Sequence, residues 1–130
     1  MCIRDRALVE QAAPVGDLTV VAEHVGQLRS TDDLRSLVTS VRERLGRDRA
    51  AVVALAADVA GKPSVIVATT EPARSAGAKA GALVRGAAAV LGGGGGGKDD
   101  VAQGGGTDAS RIDEALALVA SEVGRATGQG

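Results

Sequence analysis

Residues Gly92 to Gly106 read GGGGGGKDDVAQGGG, and the rest of the chain is organised around them. Glycine has no Cβ, so such a run can take φ > 0 and set bare backbone N–H groups against a ligand. It also loses more conformational freedom on ordering than any other composition. A folded domain therefore keeps six glycines in a row only where something packs or binds there, or where the run is a slack linker. The charged and polar centre, Lys98 to Gln103, and the second glycine cluster that closes the run weigh against a linker. The stretch reads as a backbone-lined binding loop.

Outward from that loop, 130 residues suit one small domain, or one domain with a fragment of its neighbour. The chain has no Phe, Tyr or Trp and carries 19 glycines, so its core must be built from short aliphatic side chains. Each buries less area than an aromatic ring, which predicts a modest stability margin. No apolar stretch approaches the ~20 residues needed to cross a bilayer, and no signal-peptide pattern opens the chain. The single cysteine, Cys2, cannot form an internal disulfide, which fits a reducing cytoplasm and no membrane partner. A net charge of −1 exerts no general pull on nucleic acid. Between Ala60 and Lys98, however, Lys62, Arg74, Lys79, Arg85 and Lys98 face only Glu71. A basic window leading into a glycine loop points to a phosphate-bearing partner, and a solvated helix face accounts for it equally well.

Residues 1–6 show no periodicity and stand outside the fold. Residues 7–16 read as the end of an upstream helix and a linker, with Pro14-Val15-Gly16 as the break. The globular domain then runs over 17–127, ahead of a short tail at 128–130. Asp17 to Glu23 is a strand with a nearly continuous apolar centre, and His24 follows at its carboxyl end. Ser30 or Thr31 caps a helix in which Leu34, Leu37, Val38, Val41 and Leu45 share one face, and Gly46 stops it. Ala50–Ala57 and Ser64–Thr70 are buried strands whose short connection makes them an antiparallel hairpin. The preceding strand, helix and strand form a parallel crossover. Ser75–Leu91 is a second helix, with Ala76, Ala80, Leu83, Val84, Ala87 and Leu91 on one stripe and Gly92 as terminator. Val101-Ala102-Gln103 is a short strand, and Thr107 or Ser110 caps a last helix carrying Ile112, Leu116, Val119 and Val123. The fold class is α/β: a small mixed sheet of about four strands packed with three helices.

Several chemical motifs fail on context. Gly92 to Lys98 satisfies the letters of a phosphate-binding P-loop, yet Asp99 stands where Ser or Thr must hold the metal, and the run follows a helix rather than a strand. Asp99 and Asp100 are adjacent, so in an extended segment they point to opposite faces and cannot easily share a metal or a proton. They suit turn formation, with the carboxylates accepting backbone N–H bonds. His24 has no partner for catalysis or metal binding. No nucleophile–base pair, metal set or phosphotransfer apparatus is apparent, so the chain by itself reads as non-catalytic and free of cofactor.

The order glycine run, Lys98, acidic residues, Ala102-Gln103, glycines, Thr107-Asp108-Ala109 and a final helix resembles the C-terminal end of the bacterial alanyl-tRNA synthetase family. There the pattern is close to GGGGGRPDMAQAGGTDA; here it stands as GGGGGGKDDVAQGGGTDA. The upstream strand, helix and hairpin with Gly61-Lys62-Pro63-Ser64 at its turn are similar as well, so the likeness covers roughly residues 7–127. The same module, the DHH-associated domain, occurs in DHH-family phosphoesterases and nucleases, where its glycine motif lies over the substrate. The Thr-Asp-Ala continuation favours the synthetase.

The resemblance implies a tRNA-binding module that contacts the outer corner of tRNA(Ala) and helps bring aminoacylation and editing onto one tRNA. It also implies the other synthetase domains as partners, a homodimer through upstream helices, and ATP, magnesium and zinc bound elsewhere in the longer protein. Glycine amides at Gly93, Gly94, Gly95, Gly96, Gly97 and Gly105 suit close approach to a sugar–phosphate backbone, with charge from Lys98, Lys79 and Arg74. Gln103 suits a base edge or a ribose hydroxyl, or a structural role in the loop. Asp99, Asp100 and Thr107 would shape the loop. Relative to the family, Lys98 replaces arginine and loses the planar fork, Asp99 replaces proline and adds negative charge, and Gly104 replaces alanine and loosens the loop. These departures predict weaker, more salt-sensitive binding. A phosphoesterase substrate-binding domain and a purely structural dimerisation module are the alternatives.

Overall fold

A strand buried on both faces needs no polar alternation, and the two near-continuous apolar runs of this chain take that position. Strand β3 (Ala51–Val59) and strand β4 (Lys62–Thr69) pair antiparallel, from Val52 opposite Thr69 to Val59 opposite Lys62. The computed structural model describes residues 13–15, 18–28, 30–45, 50–59, 61–98 and 100–126. Within them, β3 and β4 form the middle of a six-stranded sheet. Strand β2 (Leu18–Leu28) lies parallel to β3, and helix α1 (Thr31–Leu45) makes the crossover between them. Strand β1 (Ala13–Val15) pairs antiparallel with β2 at one edge. On the other side β4 pairs with β6 (Val101–Gly105), and β6 with β5 (Gly94–Gly97), both antiparallel. The order β1-β2-β3-β4-β6-β5 puts the glycine hairpin at the opposite edge.

Alternation along β3 assigns its residues to two cores. Val52, Ala54 and Ala56 join Val65 and Val67 beneath helix α3 (Ala80–Val90) and helix α4 (Ile112–Ala126). Val53, Leu55 and Ala57 join Ile66 and Ala68 beneath the α1 stripe of Leu34, Leu37, Val38, Val41 and Leu45. Ser30 Oγ accepts the Asp33 N–H at 3.3 Å, so Ser30 caps α1. Two buried threonines lock the end of β4. Thr70 Oγ1 accepts the Ala51 N–H at 2.9 Å, and the Thr69 N–H reaches Asp100 O at 2.8 Å.

The expected mixed α/β sheet is present, with more strands than the sequence suggests. The additional ones are β5, which is four glycines and has no side chains to show β periodicity, and β1, three residues with a proline at a sheet edge. Ala13 belongs to β1; residues 7–12 of the anticipated upstream helix, the segment 1–6, Gly46 and the tail 128–130 lie outside the described residues. Strand β2 continues past Glu23 because a bulge between His24 and Gln27 absorbs one extra residue, and the strand runs on to Leu28. His24 is thus exposed within the strand rather than at its end. The single helix expected over 75–91 is divided: α2 (Glu71–Ser75) closes at Gly77, where φ is +111°, and α3 starts at Ala80. Ala76 is consequently exposed, whereas Ala80, Leu83, Val84, Ala87 and Leu91 are buried as the stripe predicts. The final helix is entered through Asp108 rather than Thr107 or Ser110: its Oδ1 accepts the Ser110 N–H at 3.1 Å ahead of a 3-10 turn.

Candidate functional site

The glycine hairpin is built from the end of α3. Gly92 follows Leu91 with φ +85°, its N–H bonds to Ala89 O at 3.2 Å, and the Gly93 N–H bonds to Ala88 O at 2.9 Å. This reciprocal pair satisfies the last helical carbonyls and turns the chain back as β5. The hairpin closes at Lys98, whose N–H bonds to Val101 O at 3.1 Å, and Asp100 Oδ1 accepts the Val101 N–H at 3.0 Å. The described residues of the stretch therefore form an edge hairpin, not a tether.

Its glycines are of two kinds. A Cβ at position 95 would stand 2.7 Å from Gly104 Cα, and one at position 97 would stand 2.8 Å from Ala102 Cα. A Cβ at position 93 would meet Gly105 O. These positions need glycine because the two strands approach more closely than any side chain permits. Gly94 and Gly96 have open space where a Cβ would point.

The two faces of the hairpin also meet different layers. On one face α3 lies over β4, β6 and β5 while α4 lies over β2 and β3, so the sheet is covered from end to end. Gly104 belongs to this face: a Cβ there would be 3.0 Å from Ala88 Cβ and 3.3 Å from Val84 Cγ2. Position 104 thus bears on the seat of α3 against the hairpin. On the other face α1 packs on β2, β3 and β4. Beyond it lies a shelf with backbone at Gly94 and Gly96 and the side chain of Gln103, which is paired with Gly96 across the hairpin.

Cations lie at the turn end of the hairpin and on both sides of the sheet. Lys98 is exposed at the hairpin turn. Lys79 is exposed at the N-cap of α3, whose first turn abuts the same turn: a Cβ on Gly81 would lie 3.3 Å from Gly97 O and 3.7 Å from Lys98 O. Arg74 is turned inward; its Nη1 donates to Thr69 O at 2.7 Å, and through Thr69 it braces Asp100. Thr107 is exposed, and its backbone N–H bonds to Leu91 O at 2.9 Å, tying the far end of the hairpin to the C-terminus of α3. Gly105 is half-buried beside Pro63, and Asp99 lies outside the described residues.

Two arginines on α1 were missed by the sequence reading. Arg35 Nη2 donates to Gln103 Oε1 at 2.9 Å, and Arg42 Nη1 makes a longer contact, 3.5 Å, with Asp100 O. They stand seven residues apart, two turns along one side of the helix, which was the only available signal. Among the described residues, no group of three or more His, Cys, Asp or Glu is placed to hold a metal ion, and no helix is long and apolar enough to cross a membrane.

Comparison with known proteins places this geometry. The sequence pattern of the DHHA1 domain matches residues 17–125. An alanine–tRNA ligase from Clavibacter sepedonicus is 63% identical over 112 residues, covering 86% of this chain and 12% of the ligase. The chain thus spans a small part of the length of such relatives. The crystal structure of the C-Ala domain of Aquifex aeolicus alanyl-tRNA synthetase superposes with a TM-score of 0.73 at 28% identity, covering 90% of this chain and 98% of that one. The RecJ structure from Thermus thermophilus shares the fold at a TM-score of 0.59 and 21% identity, covering 94% of this chain and 17% of that one.

Proposed function

From the premise that the chain belongs to the DHHA1 domain family, we propose that it is the tRNA-binding C-terminal module of an alanyl-tRNA synthetase. In this reading it lies against the outer corner of tRNA(Ala), in the cytoplasm, and holds that tRNA for aminoacylation and editing domains elsewhere in the protein. The observation that carries it is the bare shelf at Gly94 and Gly96, with Lys98 exposed at the hairpin turn and Arg35 bonded to Gln103 beside it. A surface without side chains lets a rigid, folded polyanion approach the backbone, and these cations neutralise phosphates whose counterions are released. The chain has no aromatic residue on which to stack a base, so recognition is by shape and backbone. The high identity to alanine–tRNA ligases supports this reading over a phosphoesterase substrate domain, since the likeness to RecJ extends to the fold alone.

Titration of the chain with tRNA(Ala) at low and at physiological ionic strength tests the proposal. Binding should weaken steeply with salt, and Lys98→Ala should lower affinity and reduce the salt slope by about one phosphate contact. A chain that ignores tRNA at low ionic strength contradicts it.

A further inference from the structure

Arg35 and Gln103 meet across 68 residues of sequence, and their contact restricts what the shelf can bind. A glutamine amide ordinarily offers one acceptor and two donors, so it can serve a base edge of either polarity. A guanidinium has no acceptor and stays protonated, so the amide atom facing it must be the oxygen. The 2.9 Å bond from Arg35 Nη2 to Gln103 Oε1 therefore turns Nε2 away from α1. On the neighbouring strand Gly94 and Gly96 add no side chain. The pair thus turns toward a ligand mainly donors, the amide Nε2 and the remaining guanidinium N–H groups, with one positive charge between them and one lone pair left on Oε1.

We infer that Arg35 orients Gln103 so that it presents its amide N–H groups, and that the pair takes a phosphodiester oxygen of the bound RNA instead of reading a base edge. The inference rests on the RNA-binding proposal above and names the group contacted at that site. Arg35 acts in it both as a charge and as the positioning residue for the amide. The contact is independent of RNA sequence, because every nucleotide presents the same oxygens.

Gln103→Glu separates this role from a purely structural tie between α1 and β6. The carboxylate still accepts from Arg35, so the melting temperature should equal or exceed that of the original chain, but Nε2 is gone. Affinity for tRNA(Ala) and for an unrelated structured RNA should fall alike, by at least about tenfold, the loss of one charge-assisted hydrogen bond replaced by repulsion. Ser36→Glu, exposed on α1 beside Arg35, adds the same charge without touching the amide and should cost less than about threefold. Arg35→Met, which frees the amide to rotate, should weaken both RNAs. The inference is overturned if Gln103→Glu binds no worse than Ser36→Glu, or if it weakens one RNA and spares the other. A chain in which Lys98→Ala weakens binding and Gln103→Glu does not retains the RNA-binding reading and loses this inference alone. A chain that binds neither RNA at low ionic strength loses both.

Discussion

Two antiparallel hairpins sit side by side in this sheet and are held by opposite means. The β3–β4 hairpin is filled by Val, Ile, Leu and Ala, with Ala51 to Ala57 and Val65 to Thr69 all buried. Helices press on both of its faces, so its side chains decide its stability. The β5–β6 hairpin has few side chains; α3 covers one face, and on the other α1 reaches only its β6 strand, through Val101 and Gln103. Its geometry comes from backbone contact, from the helix ending at Gly92 and from the Asp100 carboxylate at the turn. The first hairpin is a core; the second turns the absence of a core into a surface. Placing the bare pair beside the filled pair gives glycine backbone, otherwise costly to order, a rigid support.

The comparison can be broken at its strongest point first. Ile66→Ala removes a fully buried side chain from the α1-facing core and should cost about 2–5 kcal/mol, read as a drop in urea midpoint at constant slope. An effect below about 1 kcal/mol means that the central hairpin is not held by its packing. Next in size is Gly95→Ala, whose methyl group meets Gly104 Cα at 2.7 Å. Spreading the strands or shifting α3 to admit it should cost about 1–3 kcal/mol, in the same measurement. If Gly95→Ala is neutral, the two strands are not in the close contact described.

Legibility in the sequence divides along the same line. The β3–β4 hairpin and α1 were readable because their residues carry the information: β-branched runs of strand length, and Leu34, Leu37, Val38, Val41 and Leu45 at helical spacing behind Ser30. Strand β5 was not readable as a strand, since glycine shows neither periodicity nor β propensity, and only the tertiary pairing with Gln103 and Gly104 reveals it. The break between α2 and α3 was hidden by alanines that continue a helical stripe through Ala76. At the site, Lys98 and the glycines were marked by composition alone. Which glycines face α3 and which face the open shelf depends on pleat and register. Arg74 was conspicuous in the basic window yet is spent on Thr69, while Arg35, inconspicuous on its helix, reaches Gln103.

The central claim is that the open face of the glycine hairpin is kept bare for a ligand, not for folding. Gly96→Val tests it most directly, because a side chain at 96 has free space within the fold and points onto the shelf. The account predicts a melting temperature equal to that of the original chain together with loss of tRNA(Ala) binding at low ionic strength. Unchanged affinity in a folded Gly96→Val chain contradicts it.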